Sequence, residues 1–254
     1  LATGTGHLKT FFNATVPFAE LAKTPAGIGH INLHPDSDGT ARRFLPAAVF
    51  NNKPYLSFPL RIAAFALDVP AGEIKMGEEA MSIGDAVIPL LADGSAFIPY
   101  QGGRTVKQRE EGGAYEPFYR YIPYHDLIAS KDLRESGQGP LLPDDVFKDK
   151  IVLVTIAAAG LSDLRATPFS PVSPGVEIHA NIIDAVLSKR SLKTINPALE
   201  KIYLLLLALA IALITRFTGP FGVFVVSGIA ASVLGIHWAY FGRGLILPLV
   251  GPLV

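Results

Sequence analysis

The polar stretch most suggestive of chemistry is the loop at residues 160–168 (GLSDLRATP). The aliphatic run before it, residues 151–156 (IVLVTI), predicts a strand buried on both faces. The apolar spacing after it predicts a helix over residues 175–188, so that the three segments form a βα unit. Ligands of such sheets bind at the carboxyl ends of strands, and helix N-termini attract anions. We therefore expect Asp163 and Arg165 to lie beside a ligand crevice.

The same loop has a structural alternative, because an Asp163–Arg165 ion pair would also fix a long loop in place. Within the predicted helix, Glu177 and Asn181 are i, i+4 neighbours on one face, whereas His179 lies on the apolar stripe. A helical Glu-x-His resembles half of a carboxylate–imidazole metal site, although such a histidine is more often a packing residue. The candidate ligand-binding residues are therefore Asp163, Arg165, Glu177, His179 and Asn181, and no metal is predicted.

A second polar cluster, DSDG at residues 36–39, favours a tight turn. A calcium loop aligned on Gly39 would need a glutamate at position 45, where the chain has Leu45. Side chains of Asp in such a turn bond local N–H groups, and a basic pair then begins the next strand. The structural turn candidates are Asp36, Asp38, Gly39 and Arg42.

Several function classes find no support in the composition. The chain has no cysteine, which excludes disulfides, thiolate metal sites and cysteine nucleophiles. Its 22 Lys and Arg balance 22 Asp and Glu, without a basic stripe, so nucleic acid is not an expected partner. No nucleophile elbow, zinc-protease helix or phosphate-binding loop is present. The sequence thus predicts neither a cofactor nor catalysis by this portion.

The C-terminal region has a different composition from the rest. Residues 202–254 carry only two charged side chains, Arg216 and Arg243, which is too few for a water-facing surface. We predict helices at about residues 198–217 and 220–241 and a truncated third over 244–254, in a lipid bilayer. The basic residues before the first helix leave the orientation open.

Several segments together resemble the CHASE2 family of bacterial sensor domains. The resemblance runs over roughly residues 27 to 188 and is most specific between Asp163 and Asn181. The matching segments are FKDKIVLV (147–154), GLSDLRATP (160–168), PGVEIHAN (174–181), Gly29-His30 with DSDGTARR (36–43), Ile88-Pro89 with DGS (93–95) and Tyr100-x-Gly102, and IPYHD (122–126).

The resemblance implies an extracytoplasmic sensor followed by transmembrane helices and a cytoplasmic effector, usually a class III adenylate or guanylate cyclase, a histidine kinase or a Ser/Thr kinase. The expected fold is an α/β sensor domain with a mixed sheet and βα units over residues 1–193, then an all-α membrane bundle over 194–254. The family domain usually has a further N-terminal half, so the sensor is expected to be incomplete here. We expect a multi-pass protein of the bacterial inner membrane.

The implied partners are the bilayer, a second copy of the chain and an unidentified extracytoplasmic ligand or protein. A homodimer is expected because two cyclase domains must meet to form an active site. The alternatives are a sensor for a kinase, or a module that only dimerises or assembles and has no ligand.

Overall fold

The computed structural model describes residues 8–15, 27–101, 118–156, 163–194, 197–241 and 245–246. The strands are β1 (Thr10–Phe11), β2 (Leu33–His34), β3 (Arg43–Phe44), β4 (Ala47–Phe50), β5 (Lys53–Leu56), β6 (Lys75–Met76), β7 (Ala80–Ile83), β8 (Ala86–Pro89), β9 (Ala96–Phe97), β10 (Leu164–Arg165), β11 (Ser173–Pro174), β12 (Lys193–Thr194) and β13 (Leu245–Ile246). The helices are α1 (Phe58–Ala66), α2 (Tyr124–Glu135), α3 (Gly175–Leu187), α4 (Pro197–Thr218) and α5 (Gly222–Phe241), with short 3₁₀ turns at Ala71–Glu73 and Gly219–Phe221.

The strands form several small sheets rather than one long sheet. The three-stranded sheets have the orders β1-β4-β5, β2-β3-β9 and β6-β7-β8. The β1–β4 pair is parallel, whereas β4 and β5 form an antiparallel hairpin. Asn51 and Asn52 turn that hairpin with φ of 49° and 57°, the left-handed conformations that a tight hairpin turn requires. The chain thus has the mixed α/β character that its sequence predicts.

The core lies where α1 and α3 pack together over β6–β8. Proline at the first turn of α1 suits its start, since the missing N–H there has no helical partner. Leu60 of α1 and Ile178 of α3 are fully buried, and Ala63 is small enough to let the two helices approach closely. The predicted helix at residues 175–188 is present as α3, with its apolar stripe facing this core.

The predicted strand at residues 151–156 is wrong. These residues pair with no strand among the described residues, and their side chains are open to solvent, with Val154 87% and Ile156 66% exposed. An aliphatic run indicates that burial is favourable but does not supply the neighbouring strands that would bury it. The chain instead enters α3 from the antiparallel β10–β11 pair. Residues 157–162 of the predicted ligand loop lie outside the described residues.

The C-terminal region forms a helical hairpin. Helices α4 and α5 have 22 and 20 residues, or about 33 Å and 30 Å at ~1.5 Å per residue. The third predicted helix is wrong at Leu245–Ile246, which form β13 and pair in parallel with β12. The backbone of these two residues pairs with β12 instead of continuing a helix. Residues 247–254 lie outside the described part. No helix among the described residues is both long enough and apolar enough to cross a membrane.

Candidate functional site

Asp163 and Arg165 lie at the corner where the β10–β11 pair leads into α3. Gly175 N, at the first position of α3, donates to Asp163 O at 2.7 Å. A Cβ at Gly175 would lie 2.7 Å from Asp163 Oδ2 and 3.2 Å from Asp163 O, so a larger residue there would require the Asp163 side chain to move. Arg165 Nε contacts Asp163 Oδ1 at 2.7 Å, with both side chains more than half exposed. The expected ion pair is therefore present, and its exposure makes its contribution to stability small.

Glu177 and Asn181 are buried and serve the packing of α3. Asn181 Nδ2 donates to the Glu177 carbonyl, and Asn181 Oδ1 accepts from Gln101 N, each at 2.8 Å. This amide therefore joins α3 to the chain that follows β9. Neither of these two hydrogen bonds involves Asp163 or Arg165.

His179 packs against α1 instead of facing solvent. Its ring meets the Phe58 ring edge to face, with centroids 5.5 Å apart. The segment that carries His30 lies along the same helix start, because Phe58 N donates to His30 O at 2.7 Å and His30 N donates to Leu56 O at 3.0 Å. We call His30, Ser57, Phe58 and His179 the histidine corner. Three separate segments of the chain meet there.

Four side-chain polar atoms of the histidine corner lack hydrogen-bond partners within the described part of the chain. Both ring nitrogens of His30, Nδ1 of His179 and Oγ of Ser57 are buried without a hydrogen bond there. Buried polar atoms are rarely left unpaired in folded proteins, so such a concentration indicates a functional or strained site. Sequence reasoning missed His30 and Ser57, because their neighbour His179 lies about 120 to 150 residues away along the chain.

The histidine corner favours neutral imidazoles. Burial, aided by the nearby charge of His179, lowers the pKa of His30 from 6.5 to about 4. Burial also lowers the pKa of His179, and the negative charge of Asp163 opposes that shift. Both rings are thus uncharged at neutral pH, and each would have to take up a proton in a desolvated place to become charged.

The acidic turn, residues 36–42, is a network of charged hydrogen bonds. Gly39 has φ of 78°, and its N donates to Asp36 O at 2.8 Å. Arg42 Nη1 donates to Asp36 Oδ2 at 2.8 Å, and Arg42 Nη2 donates to Asp38 Oδ2 at 2.9 Å. These bonds from Arg42 hold the pKa of the Asp38 carboxyl well below its usual range. The turn is tied to the α3 corner because Ala41 N donates to Ala166 O at 2.8 Å.

Asp36→Ala is expected to destabilise the domain by about 1–2 kcal/mol, because charge-assisted hydrogen bonds to a partly buried carboxylate contribute more than neutral ones. Asp36 also accepts from Arg43 Nε at 2.8 Å, so the substitution leaves two guanidinium groups without this acceptor. Urea unfolding measures the change. Lys131→Ala is the control, since its 3.7 Å contact with Glu135 is exposed and should contribute less than about 0.5 kcal/mol. Equal effects of the two substitutions would contradict a structural role for the turn.

Within the described ranges, no three His, Asp or Glu side chains converge in a way that would hold a metal ion. Comparison with known proteins yields one family: the model of the CHASE2 domain matches residues 5–214. Neither the curated proteins nor the solved structures contain a significant match. The family model covers most of the chain, including the acidic turn, the histidine corner, α3 and most of α4. The chain therefore belongs to the CHASE2 family of extracytoplasmic sensory domains.

Proposed function

We propose that this chain is the sensory and membrane-anchoring portion of a bacterial receptor that controls a cytoplasmic class III adenylate or guanylate cyclase. The sensor would lie outside the inner membrane, and α4 and α5 would lie within it. The observation that carries the proposal is the family match, which continues without a break from the sensor into α4. A ligand or stress outside would shift the sensor between two packings, and the helices would relay that shift.

The surface of the helical hairpin supports a membrane location. Its large apolar side chains are uncovered, with Leu205 69%, Phe217 81% and Trp238 81% exposed. Continuous exposed apolar surface of this kind is unfavourable in water and favourable in lipid. Pairing of β12 with β13 returns the chain after α5 to the side from which α4 began, as a membrane hairpin requires.

The connection between α3 and α4, residues 188–196, is the proposed route of the signal. Arg190 fixes its first part to the core. Arg190 Nη1 donates to Pro99 O at 3.1 Å, and Arg190 Nη2 donates to Asp184 Oδ2 at 2.6 Å. The neighbouring Lys189 makes only an exposed ion pair with Asp85. A movement of α3 would therefore reach β12 and α4 through Arg190.

Arg190→Ala is expected to change cyclic nucleotide synthesis by the full-length receptor several-fold, because it frees the start of the connection from α3 and β9. The measurement is the rate of cyclic AMP and cyclic GMP formation in isolated membranes. The KM for the nucleotide should not change, since the substitution is far from any cytoplasmic active site. Lys189→Ala is the matched neighbour and should leave the rate unchanged.

Two results would overturn parts of this proposal. If the wild-type membranes form no cyclic nucleotide but transfer phosphate to His, Ser or Thr, the effector is a kinase. If Arg190→Ala and Lys189→Ala behave alike, the signal does not pass through Arg190.

A second candidate function is assembly, which the exposed apolar side chains of residues 118–156 favour. Tyr124 of α2 is 69% exposed, and Leu141 and Val154 are 59% and 87% exposed. Patches of this kind mark protein–protein contacts. A pure assembly module predicts that Arg190→Ala leaves enzymatic output unchanged, and that disrupting this patch with Val154→Asp abolishes self-association in sedimentation. A signalling sensor predicts a changed output for Arg190→Ala.

A further inference from the structure

We propose that the stimulus is the proton: the histidine corner is a latch between α1 and α3 that holds while both imidazoles are neutral and opens when the extracytoplasmic side becomes acidic. The opening itself is a property of the fold. Its effect on an effector rests on the proposed function above.

The latch is built from close contacts between separate segments. Gly29 lets the His30 segment lie directly on the start of α1, since a Cβ at this position would be 2.5 Å from Phe58 Cα. His179 reaches the same place from α3 through its contact with the Phe58 ring. The two histidines therefore help to close the interface in which α1 and α3 form the core.

The described residues offer no hydrogen bond to either ring nitrogen of His30 or to Nδ1 of His179. A protonated imidazole has two N–H donors, and both ring nitrogens of His30 are buried without an acceptor among the described residues. Charging His30 in place would leave two buried donors unsatisfied, which is costly. The ring can escape this cost by moving to water, and that movement takes it away from the start of α1.

The charged groups around the corner act differently on the two histidines. His30 faces His179, so the two rings repel each other once both are protonated. The Arg61 guanidinium of α1 lies against Gly27, three residues before His30. His179 also faces Asp163, which is exposed and attracts it once it is charged. Glu177 and Arg165 are the remaining charged groups near the start of α3, and Arg165 is already paired with Asp163.

Acidification would therefore move His179 from Phe58 towards Asp163. It would move His30 away from His179 and from Phe58. This separates α3 from α1 at the start of α3. The other end of α3 continues through Arg190 to β12 and α4. A change in the packing of α3 would therefore alter residues 188–196, which connect it to the helical hairpin.

Hydrogen–deuterium exchange of the full chain in lipid nanodiscs tests the latch. The quantity is the protection factor of amides in Gly175–Leu187, corrected for the intrinsic pH dependence of exchange, at pH 7.5 and at pH 4.5. We expect the protection factors of the wild type to be at least tenfold lower at pH 4.5 than at pH 7.5. Unchanged protection in the wild type would overturn the proposal, whatever the variants do.

Variants separate the histidines from other acid-sensitive groups. His30→Phe and His179→Phe should each keep most of their protection at pH 4.5, because the substituted ring can no longer take up a proton and the two rings can no longer repel each other. His125→Phe is the matched control, since His125 is 81% exposed and should behave as the wild type. If protection falls equally in all proteins, carboxylates and not the histidines cause the opening. If one variant fails to fold at pH 7.5, the other variant is compared with the wild type. If both fail to fold, the change in protection of the wild type alone decides whether α3 opens at acidic pH.

Cyclic nucleotide synthesis at the same two external pH values separates this proposal from the proposed function. If protection falls as expected but the output of a working cyclase does not change, the latch exists and is not the signal. If protection falls and no cyclic nucleotide is formed at either pH, the latch stands and the cyclase assignment fails.

Discussion

Gly29→Ala is expected to destabilise the sensor by about 3 kcal/mol. The added Cβ would lie 2.5 Å from Phe58 Cα and 2.7 Å from Phe58 N, which are both backbone atoms. Phe58 N is held by its 2.7 Å hydrogen bond to His30 O, so neither segment can move away without losing that bond. Overpacking typically costs about 1–3 kcal/mol, and a clash between two backbones belongs at the upper end.

Urea unfolding followed by tyrosine and tryptophan fluorescence measures this change, with a lower midpoint and an unchanged slope expected. Gly139→Ala is the control, because no atom lies within 4 Å of its added Cβ and its φ is not in the left-handed region. A loss below about 1 kcal/mol for Gly29→Ala would mean that the His30 segment is not packed on α1.

Acidification from pH 6.5 to pH 4 is expected to lower the free energy of unfolding by up to about 3 kcal/mol through His30 alone. Its pKa of about 4 in the folded chain lies below its ordinary value of 6.5, and each pKa unit corresponds to about 1.4 kcal/mol. Between these two pH values the unfolded chain binds more protons than the folded chain. Stability contributed by neutral His30 is therefore fully present above pH 6.5 and is lost as the pH falls towards 4.

The measurement is urea unfolding at intervals between pH 7.5 and pH 4. The slope of stability against pH should be clearly reduced in His30→Phe. The carboxyls whose pKa the structure lowers, Asp38, Asp85 and Asp93, lose their contribution only below their ordinary pKa of 3.8 and so fall outside this window. An identical slope in the wild type and in His30→Phe would contradict a buried neutral His30.

Local patterns predicted helices α3, α4 and α5. The spacing of apolar residues predicted α3 because its contacts with the core repeat with the period of the helix. The absence of charge likewise indicated the two helices of the hairpin. The acidic turn was recognisable because Asp36, Asp38 and Arg42 are close in sequence as well as in space. These features depend on neighbours within a few residues.

Features that depend on distant contacts were not predictable in this way. Residues 151–156 have the composition of a buried strand, but composition does not reveal whether other strands lie beside it. Asn181 was proposed as a ligand-binding residue, and its hydrogen bond to Gln101 comes from 80 residues away. The partners of His30 likewise lie on α1 and α3. Such contacts are set by the tertiary packing of separate segments and leave no periodic pattern in the sequence.

The proposed function requires the sensor to lie outside a membrane that the α4–α5 hairpin crosses. Because the chain has no cysteine, single cysteines can be placed at Lys131 in the sensor and at Phe221 between the two helices. Both positions are well exposed, at 69% of the Lys131 side chain and 73% of Phe221. Intact spheroplasts with the full-length protein are treated with a membrane-impermeant thiol reagent. We predict that Lys131→Cys is labelled in intact spheroplasts and that Phe221→Cys is labelled only after permeabilisation. Labelling of Phe221→Cys from outside, or protection of Lys131→Cys, would contradict this arrangement.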